Sequence, residues 1–337
     1  MLKGIKITII VLCILVVLFG AVAGVYYWFP WHRNFFNNAD KEFAIPGLAD
    51  GFVPQGFTEI EGYNKYLISG YMDDGSPSRF YVVDIETKQV EKYVILKIDS
   101  GKNYDGHAGG VASYGSALWT VSMADNGKGY AFCFNAIDVI NAENEDSIAI
   151  RDYFETYNNA DCVFVQDDML WVGEFYREKS HITDEEHIKT TSSGDVHKAM
   201  AYGFNIDISY KCGVKNKFPQ KALSLKDLCQ GIAVTAEGKF VMTSSYSISD
   251  STIYYFNNVL EEENAATTKI GLTEIPMWYL DDNSLIYSEK IPSMAEEVVI
   301  RDDRVYILFE SSCKKYKKVN RTRIDSVYSL PITYFEK

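Results

Sequence analysis

Short apolar runs separated by polar turns recur along most of this chain. The pattern is clearest in Ser293–Ser311, where Val298–Ile300 and Val305–Phe309 flank the polar turn Arg301–Arg304. Apolar runs of this length between turn residues are typical of buried strands. The pattern therefore predicts a pair of buried strands joined by a tight turn.

The same strand pair occurs four more times upstream. The residues that lead into the first strand of each copy are Gln55, Gly109, Asp161, Gln230 and Glu296. They follow one another at intervals of 54, 52, 69 and 66 residues. Paired strands repeated about every 50–70 residues are typical of β-propeller blades.

Two outer strands are predicted to complete each blade. They are Arg79–Ile85 with Gln89–Leu96, Tyr130–Ile137 with Ile148–Tyr157, Met200–Ile206 with Ala222–Leu225, and Thr252–Phe256 with Leu285–Ile291. The last copy has Arg323–Leu330, and its fourth strand is predicted to be Glu42–Leu48, which resembles Ser288–Met294. Closure of this kind removes an exposed sheet edge. The prediction is an all-β, five-bladed β-propeller over residues 42–337, with a six-bladed ring as the alternative.

The N-terminal segment has a different pattern. Lys3 and Lys6 precede an uncharged apolar run that ends at Val25, and the aromatic residues Tyr26–Trp28 follow it. Such a run is long enough to cross a hydrocarbon core of ~30 Å. Lysines before it and aromatic residues after it predict a cytoplasmic N-terminus and an exported propeller. We therefore expect a single-pass transmembrane signal anchor at 1–31 and a linker at 32–41, which hold the propeller at the cell membrane.

The alternative for this segment is a cleaved signal peptide. Ala21–Ala23 has the small-x-small form that precedes a cleavage site, and cleavage near Ala23 would make the protein secreted.

Composition restricts the partners. The net charge of −13 argues against nucleic acid, because the phosphate backbone binds basic surfaces. The 24 tyrosines and 19 phenylalanines favour strands. The cysteines beyond the anchor, Cys133, Cys162, Cys212, Cys229 and Cys313, have no zinc-site spacing. We expect buried cysteines with at most one or two disulfides.

In a propeller the entries to the inner strands meet near the axis on one face. The polar residues at these entries are Gln55, His107, Asn159, Asp161, Gln230, Glu296 and Glu297. Because Ca²⁺ prefers carboxylate and amide oxygens, Asp161, Glu296 and Glu297 are candidate calcium ligands. A polar-ligand site and a water-filled channel are the alternatives.

The ends of the second strands should reach the same face. They bring Ser122, Glu174, Ser244 and Glu310 towards the axis, and Tyr316 follows as a candidate stacking ring. Paired acids across such a pocket are suited to general acid and base roles. The candidate catalytic set is Asp161, Glu174, Glu296, Glu297, Glu310 and His107, and the candidate ligand-binding set is Gln55, Asn159, Gln230, Ser122, Ser244 and Tyr316.

The chain thus resembles the β-propeller superfamily over residues 42–337. Among five-bladed propellers it is similar to calcium-dependent nucleotidases, arabinanase-type glycosidases and tachylectin-type lectins. The gluconolactonase and strictosidine-synthase types are the six-bladed comparison. The resemblance implies a fold and does not assign a site.

Two functions from different classes remain open. The first is a ligand-binding propeller that takes a small molecule, a saccharide or a protein through the face that carries the inner-strand entries. The second is a hydrolase or lyase that works in the axial pocket, calcium-dependent in one version. The sequence has no GxSxG, P-loop or HExxH motif. The insertion Tyr176–Lys198 is expected to form a lid over the same face.

Overall fold

The computed structural model describes residues 2–28, 31–98 and 101–336. Its α-helices are α1 (Leu2–Trp28), α2 (Arg33–Asn38) and α3 (Ala136–Asn141). Among the residues described in both backbone and side chain, no helix is both long enough and apolar enough to cross a membrane. Helix α2 lies in the segment predicted as a linker, and its Phe35 is fully buried against the propeller.

Strands dominate the described chain. Those in the first half are β1 (Asp40–Ala44), β2 (Phe52–Ile60), β3 (Lys65–Met72), β4 (Arg79–Asp84), β5 (Val90–Lys97), β6 (Val111–Tyr114), β7 (Ala117–Met123), β8 (Gly129–Asn135), β9 (Ser147–Ala149), β10 (Asp152–Glu155), β11 (Cys162–Gln166) and β12 (Met169–Gly173). The second half has β13 (Lys189–Thr190), β14 (Val196–His197), β15 (Ala199–Asn205), β16 (Lys221–Leu225), β17 (Cys229–Val234), β18 (Phe240–Ser244), β19 (Ser251–Phe256), β20 (Ala266–Ile270), β21 (Thr273–Tyr279), β22 (Leu285–Ile291), β23 (Ala295–Arg301), β24 (Arg304–Phe309) and β25 (Ser326–Pro331).

The strands form the five blades of a β-propeller, as the repeat predicted. From the axis outward, blade one is β2-β3-β4-β5, blade two β6-β7-β8-β10, blade three β11-β12-β15-β16, and blade four β17-β18-β19-β22. Blade five is β23-β24-β25-β1. Every predicted strand pair is present, and most predicted boundaries agree within a few residues.

The predicted closure of the ring is confirmed. Strand β1 pairs antiparallel with β25, and Ala44 lies opposite Ser326. Behind it, Phe43 is 5% exposed and stacks on Tyr66 of blade one, with ring centroids 5.6 Å apart. The first strand of the propeller therefore completes the last blade and packs against the first.

Two blades carry strands that the repeat did not predict. The predicted strand Ile148–Tyr157 is two strands: β10 belongs to blade two, whereas β9 pairs in parallel with β5 of blade one. The insertion in blade four folds into the hairpin β20–β21, and β21 pairs in parallel with β16 of blade three. Both additions cover the outer edge of a neighbouring blade, where an unpaired edge would be exposed.

Glycines allow the inner strands to approach one another around the axis. A Cβ at Gly56 in blade one would lie 2.5 Å from Val111 N in blade two. One at Gly110 would lie 2.7 Å from Val163 N in blade three. Any larger side chain would force these blades apart, because such distances are below van der Waals contact. The tight ring brings the five inner-strand entries together.

The cysteines are free thiols. All except Cys13 are buried, and Cys162 Sγ lies 3.9 Å from Cys229 Sγ where blades three and four meet. The expectation of buried cysteines is met, and the described chain contains no disulfide.

Candidate functional site

Bulges in the inner strands turn polar side chains towards the axis. The β2–β3 register shifts between Pro54 and Gly56, so Gln55 has no partner on β3. In blade four the register shifts between Cys229 and Gly231, which frees Gln230. A bulge adds an unpaired residue and redirects its side chain, and bulges are frequent beside functional sites.

Blade five has the largest of these irregularities. Its register shifts between Ala295 and Val298, so that both Glu296 and Glu297 are left out of the ladder. The two carboxyl groups consequently face different parts of the axial channel. Glu296 lines the upper cavity and Glu297 the lower one.

The upper cavity, which we call the axial pocket, has a volume of about 230 Å³. It lies at the face where inner strands begin and second strands end. Its lining residues are Gln55, Tyr71, His107, Asp161, Phe175, His181, Gln230, Tyr246, Ser247, Met294, Glu296, Glu310 and Tyr316. All five blades contribute to it.

The floor of the axial pocket is a pair of carboxyl groups. Glu296 is 3% exposed and Glu310 is 9% exposed. Burial raises the pKa of Glu310 to about 8. Burial also raises the pKa of Glu296 well above its ordinary value, and the neighbouring Glu310 raises it further. The Glu296 carboxyl, in its protonated form, donates a hydrogen bond to Glu310, which also accepts one from Gln55 Nε2 at 3.1 Å.

A third acid lies on the wall. Burial raises the pKa of Asp161 to about 7, and the charge of Glu174 adds to the rise. The opposing influence is the Phe175 backbone N–H, which donates to Asp161 Oδ2 at 2.9 Å. At neutral pH the pocket thus holds carboxyl groups in both protonation states, which can donate as well as accept hydrogen bonds.

Aromatic rings form much of the remaining wall. The Tyr71 and His107 rings stack with centroids 4.9 Å apart, and Lys315 Nζ donates to Tyr71 Oη at 2.7 Å. On the other side the Arg177 guanidinium lies 3.8 Å from the centre of the Tyr246 ring. Cations therefore hold two of the tyrosine rings in place from outside the pocket.

Seven predicted site residues meet in the axial pocket. They are Gln55, His107, Asp161, Gln230, Glu296, Glu310 and Tyr316. The prediction missed Tyr71, Phe175, His181, Tyr246, Ser247 and Met294. Tyr71, Phe175 and Tyr246 lie at or just beyond the ends of second strands, the same position as Glu310. The prediction considered only acids and serines at this position. Including every residue at the ends of the second strands would have found these three aromatic residues.

The other predicted residues lie outside the pocket. Glu174 is fully buried and accepts hydrogen bonds from His187 Nδ1 at 2.7 Å, Met200 N at 3.0 Å and Asn159 N at 3.2 Å. Ser122 Oγ donates to its neighbour's carbonyl at 3.2 Å, and Ser244 Oγ donates to Asp227 O at 2.9 Å. Glu174 therefore ties the insertion of blade three to the propeller, and the two serines bond to backbone.

The candidate calcium ligands are divided between two cavities. Asp161 and Glu296 line the axial pocket, whereas Glu297 lines the cavity below it. Within the described residues, no three histidine, cysteine, aspartate or glutamate side chains form a group that could hold a metal ion.

Comparisons with known proteins found similar solved structures but no matching family or curated protein. The structure is similar to the PQQ-bound aldose sugar dehydrogenase from Streptomyces coelicolor, with a TM-score of 0.48 and 11% identity over 87% of this chain and 96% of that one. It is similar to a GH43_1 enzyme from Xanthomonas citri, with a TM-score of 0.46 and 9% identity over 89% and 92% of the two chains. BamB from Moraxella catarrhalis gives a TM-score of 0.32 and 9% identity over 82% and 84%. At these identities and TM-scores the likeness assigns no function; the strand order of its own sheets makes the chain a five-bladed β-propeller.

Proposed function

We propose that this propeller binds a small hydroxylated ligand, of which a saccharide unit is the best-fitting class, in the axial pocket. The observation that carries the proposal is the combination of aromatic walls with a floor of carboxyl and amide groups. Ligand sites typically have apolar walls and a few convergent polar groups that orient the ligand. The rings offer flat faces to the C–H surface of a sugar, and the floor can exchange hydrogen bonds with its hydroxyls.

The volume of the axial pocket fits a single sugar ring rather than a long oligosaccharide. At about 230 Å³ it is smaller than the ~300–1,000 Å³ typical of sites for drug-sized ligands. Its rim residues His107, His181 and Ser247 are exposed, so a longer ligand can extend into solvent. A terminal sugar of a glycan meets both conditions.

The test is calorimetric titration of the full-length protein with monosaccharides and their methyl glycosides. We expect saturable binding by at least one sugar and an affinity loss of about tenfold or more in Tyr246→Ala, because aromatic anchors dominate small binding sites. Tyr210→Ala is the matched control, since Tyr210 is 48% exposed and does not line the pocket. Absence of binding by every sugar, or an equal loss in the control, would count against the proposal.

A second candidate function is hydrolysis in the same pocket, and the pKa values of its acids favour it. The pKa of Glu310 is about 8 and that of Asp161 about 7. General acid and base groups are most effective when their pKa lies near the working pH. Glu296 would hold the proton and Asp161 would accept one from water. Turnover of p-nitrophenyl glycosides that is lost in Asp161→Asn but retained in Tyr210→Ala would support this function. If the bound sugar is never turned over, the protein only binds it.

The location at the cell membrane is also a proposal. Its support is the sequence pattern before residue 31 and the exposed apolar side chains of α1, such as Leu15 at 57% and Phe19 at 78%. His32 Nε2 lies 3.3 Å from Asp250, and the Trp31 ring lies 4.2 Å from the Arg321 guanidinium. Asp250 and Arg321 belong to loops on the face that carries the axial pocket. An N-terminal membrane tether would therefore leave the propeller from that face.

Fractionation of cells tests the tether. We expect the full chain to stay with membranes after a carbonate wash, and a chain lacking residues 2–28 to be released. Edman sequencing of the exported protein separates the alternatives, because cleavage near Ala23 would yield a new N-terminus. A full-length chain in the soluble fraction would contradict the tether.

A further inference from the structure

A second cavity, which we call the lower cavity, lies beneath the axial pocket on the same axis. Its volume is about 190 Å³, and it is lined by the inner strands of all five blades. Most of its lining residues are apolar, and each blade contributes at least one that is buried, namely Phe57, Val111, Val163, Ile232 and Val298. It approaches the face that carries the turns within the inner strand pairs, opposite the mouth of the axial pocket.

A single carboxyl group marks the inner end of this cavity. Glu297 is 1% exposed, and its Oε1 accepts hydrogen bonds from Ile232 N at 3.1 Å and Val298 N at 3.2 Å. Its Oε2 has no hydrogen-bond partner among the described residues. A buried oxygen without a hydrogen-bond partner is destabilising, so a ligand donor at this point would be stabilising.

The cavity extends along the inner strands. From Glu297 to Ile300, both of which line it, the strand β23 advances three residues, which is about 10 Å at the rise of a β-strand. Val299 and Ile300 are partly exposed, whereas Glu297 and Val298 are buried, so exposure increases towards the mouth. A ligand that reaches Glu297 must therefore bring an apolar stem along the strand walls.

Charge at the mouth favours a cation. The turns inside the five inner strand pairs carry the acids Glu61, Asp167, Asp168, Glu237, Asp302 and Asp303. The basic residues beside them are paired: Lys239 with Glu336 at 3.0 Å, and Arg304 with Asp40. At the rim Glu59 pairs with Arg301 at 3.2 Å and so adds no net charge. An acidic mouth over low-dielectric walls attracts positive ligands.

We propose that the lower cavity is a binding site for a primary alkylammonium group, carried either by a free amine or by a lysyl side chain. The apolar walls would hold the methylene stem, and the ammonium would donate to Glu297 Oε2. A guanidinium fits less well, because its planar fork presents five donors to one unpartnered oxygen. The cavity volume leaves room for water beside the ammonium to satisfy its remaining donors.

Binding of an ammonium group should release a proton from Glu297. Burial raises the pKa of Glu297, and the Cys162 thiol adds to the rise. An ammonium beside it stabilises the carboxylate, so a carboxyl that is protonated before binding releases its proton to the buffer. The charge of Glu297 in turn contributes to the raised pKa of Glu296. Affinity should therefore increase with pH until the amine itself loses its proton.

The experiment is titration of the full-length protein with n-butylamine at pH 8, followed by calorimetry and ligand-detected NMR. We expect saturable binding that is about tenfold or more tighter than that of n-butanol, which has the same number of heavy atoms. Glu297→Gln keeps an oxygen for the Ile232 and Val298 N–H groups and should weaken butylamine about tenfold or more. Glu86→Gln, an exposed site on blade one, is the matched control and should bind normally.

Two further arms complete the test. Nα-acetyl-lysine methylamide reports whether a lysyl side chain on a backbone enters as well as a free amine does. Calorimetry in buffers of different ionisation enthalpy should show proton release in the wild type but not in Glu297→Gln. Equal affinity for n-butanol and n-butylamine, unchanged binding in a folded Glu297→Gln, or no saturation by either amine would overturn the proposal.

Discussion

Glu296 and Glu310 show how burial controls charge at the level of single residues. Each lies at an axial position that its own strand pair creates, one at a bulge and the other at a strand end. Both are buried, and no cation of the described residues hydrogen-bonds to either, so the neutral form is favoured. The pKa of Glu296 and that of Glu310 are both raised as a result.

These raised pKa values predict how stability depends on pH. The pKa of Glu310 rises from 4.5 to about 8, and that of Asp161 from 3.8 to about 7. Since the unfolded chain loses these protons first, the contribution of both groups to stability is present at pH 4 and is lost as pH rises towards 8. The free energy of unfolding from urea titrations should show this loss.

The double variant Glu296→Gln with Glu310→Gln isolates the effect. It should exceed the wild type in free energy of unfolding by about 2 kcal/mol at pH 8, and the difference should shrink towards pH 4. Glu86→Gln serves as the exposed control. If the double variant is less stable than the wild type at pH 8, the carboxyl pair is held by interactions that ionisation does not weaken.

Sequence reasoning found the polar part of the pocket but, apart from Tyr316 and His107, not its aromatic part. Gln55, Asp161, Gln230 and Glu296 were predictable because one position of the repeat determines them. Tyr71 and Tyr246 were not, because a tyrosine in a strand is equally suited to the core. The separate directions of Glu296 and Glu297 depend on a bulge whose register the sequence does not reveal.

At the scale of elements, a buried chain of hydrogen bonds is among the contacts that join the insertion between β12 and β15 to the propeller. Glu174 accepts from His187 Nδ1, and His187 Nε2 lies 3.0 Å from the Tyr202 hydroxyl. His187 is 6% exposed although its neighbours Glu186 and Ile188 are exposed. The same insertion begins beside Phe175 and contains His181, both of which line the axial pocket.

Glu174→Gln should therefore loosen the insertion. The amide replaces one of the two accepting oxygens by a donor that faces N–H groups, which costs about 1–3 kcal/mol. Hydrogen exchange of residues 176–198 should become faster, while exchange in blade one stays unchanged. Glu178→Gln, an exposed change in the same insertion, should leave both rates as they are. Unaltered exchange in Glu174→Gln would mean that other contacts hold the segment.

The sequence predicted the insertion and its position but not its anchor. Glu174 was a candidate catalytic acid because it follows a second strand, and nothing local shows that a histidine 13 residues later turns back to it. The hairpin β20–β21 escaped prediction for a similar reason. Its parallel pairing with β16 joins two blades across a long stretch of chain, whereas strand patterns report only local alternation.

For the whole molecule, the ring depends on the strand β1. Phe43 on this strand packs against Phe57 and Tyr66 of blade one, with ring centroids 6.1 and 5.6 Å away. The contact joins the last blade to the first at the closure of the ring. The five-fold repeat made the architecture predictable, because each copy had the same two strands and turn.

Phe43→Ala measures the strength of that closure. Loss of a buried phenylalanine should lower the free energy of unfolding by about 3 kcal/mol. Lys41→Ala on the same strand removes an exposed side chain and its pair with Asp325, and should cost less than about 1 kcal/mol. Urea denaturation followed by tyrosine fluorescence provides both values. Similar losses in the two variants would show that β1 is held by its backbone ladder rather than by Phe43.

The same closure sets the order in which the protein can be completed as it is made. Ala44 pairs with Ser326, so the nascent chain must grow by 282 residues after Ala44 before the two can meet. At about 5–20 residues per second, this takes the ribosome on the order of 15–60 s. During that time blade one lacks its contacts with blade five, such as that between Tyr66 and Tyr306, and this side of the blade is exposed to other chains. The ring is therefore a late product of synthesis, and a pause before residue 326 prolongs the interval in which the open propeller can aggregate.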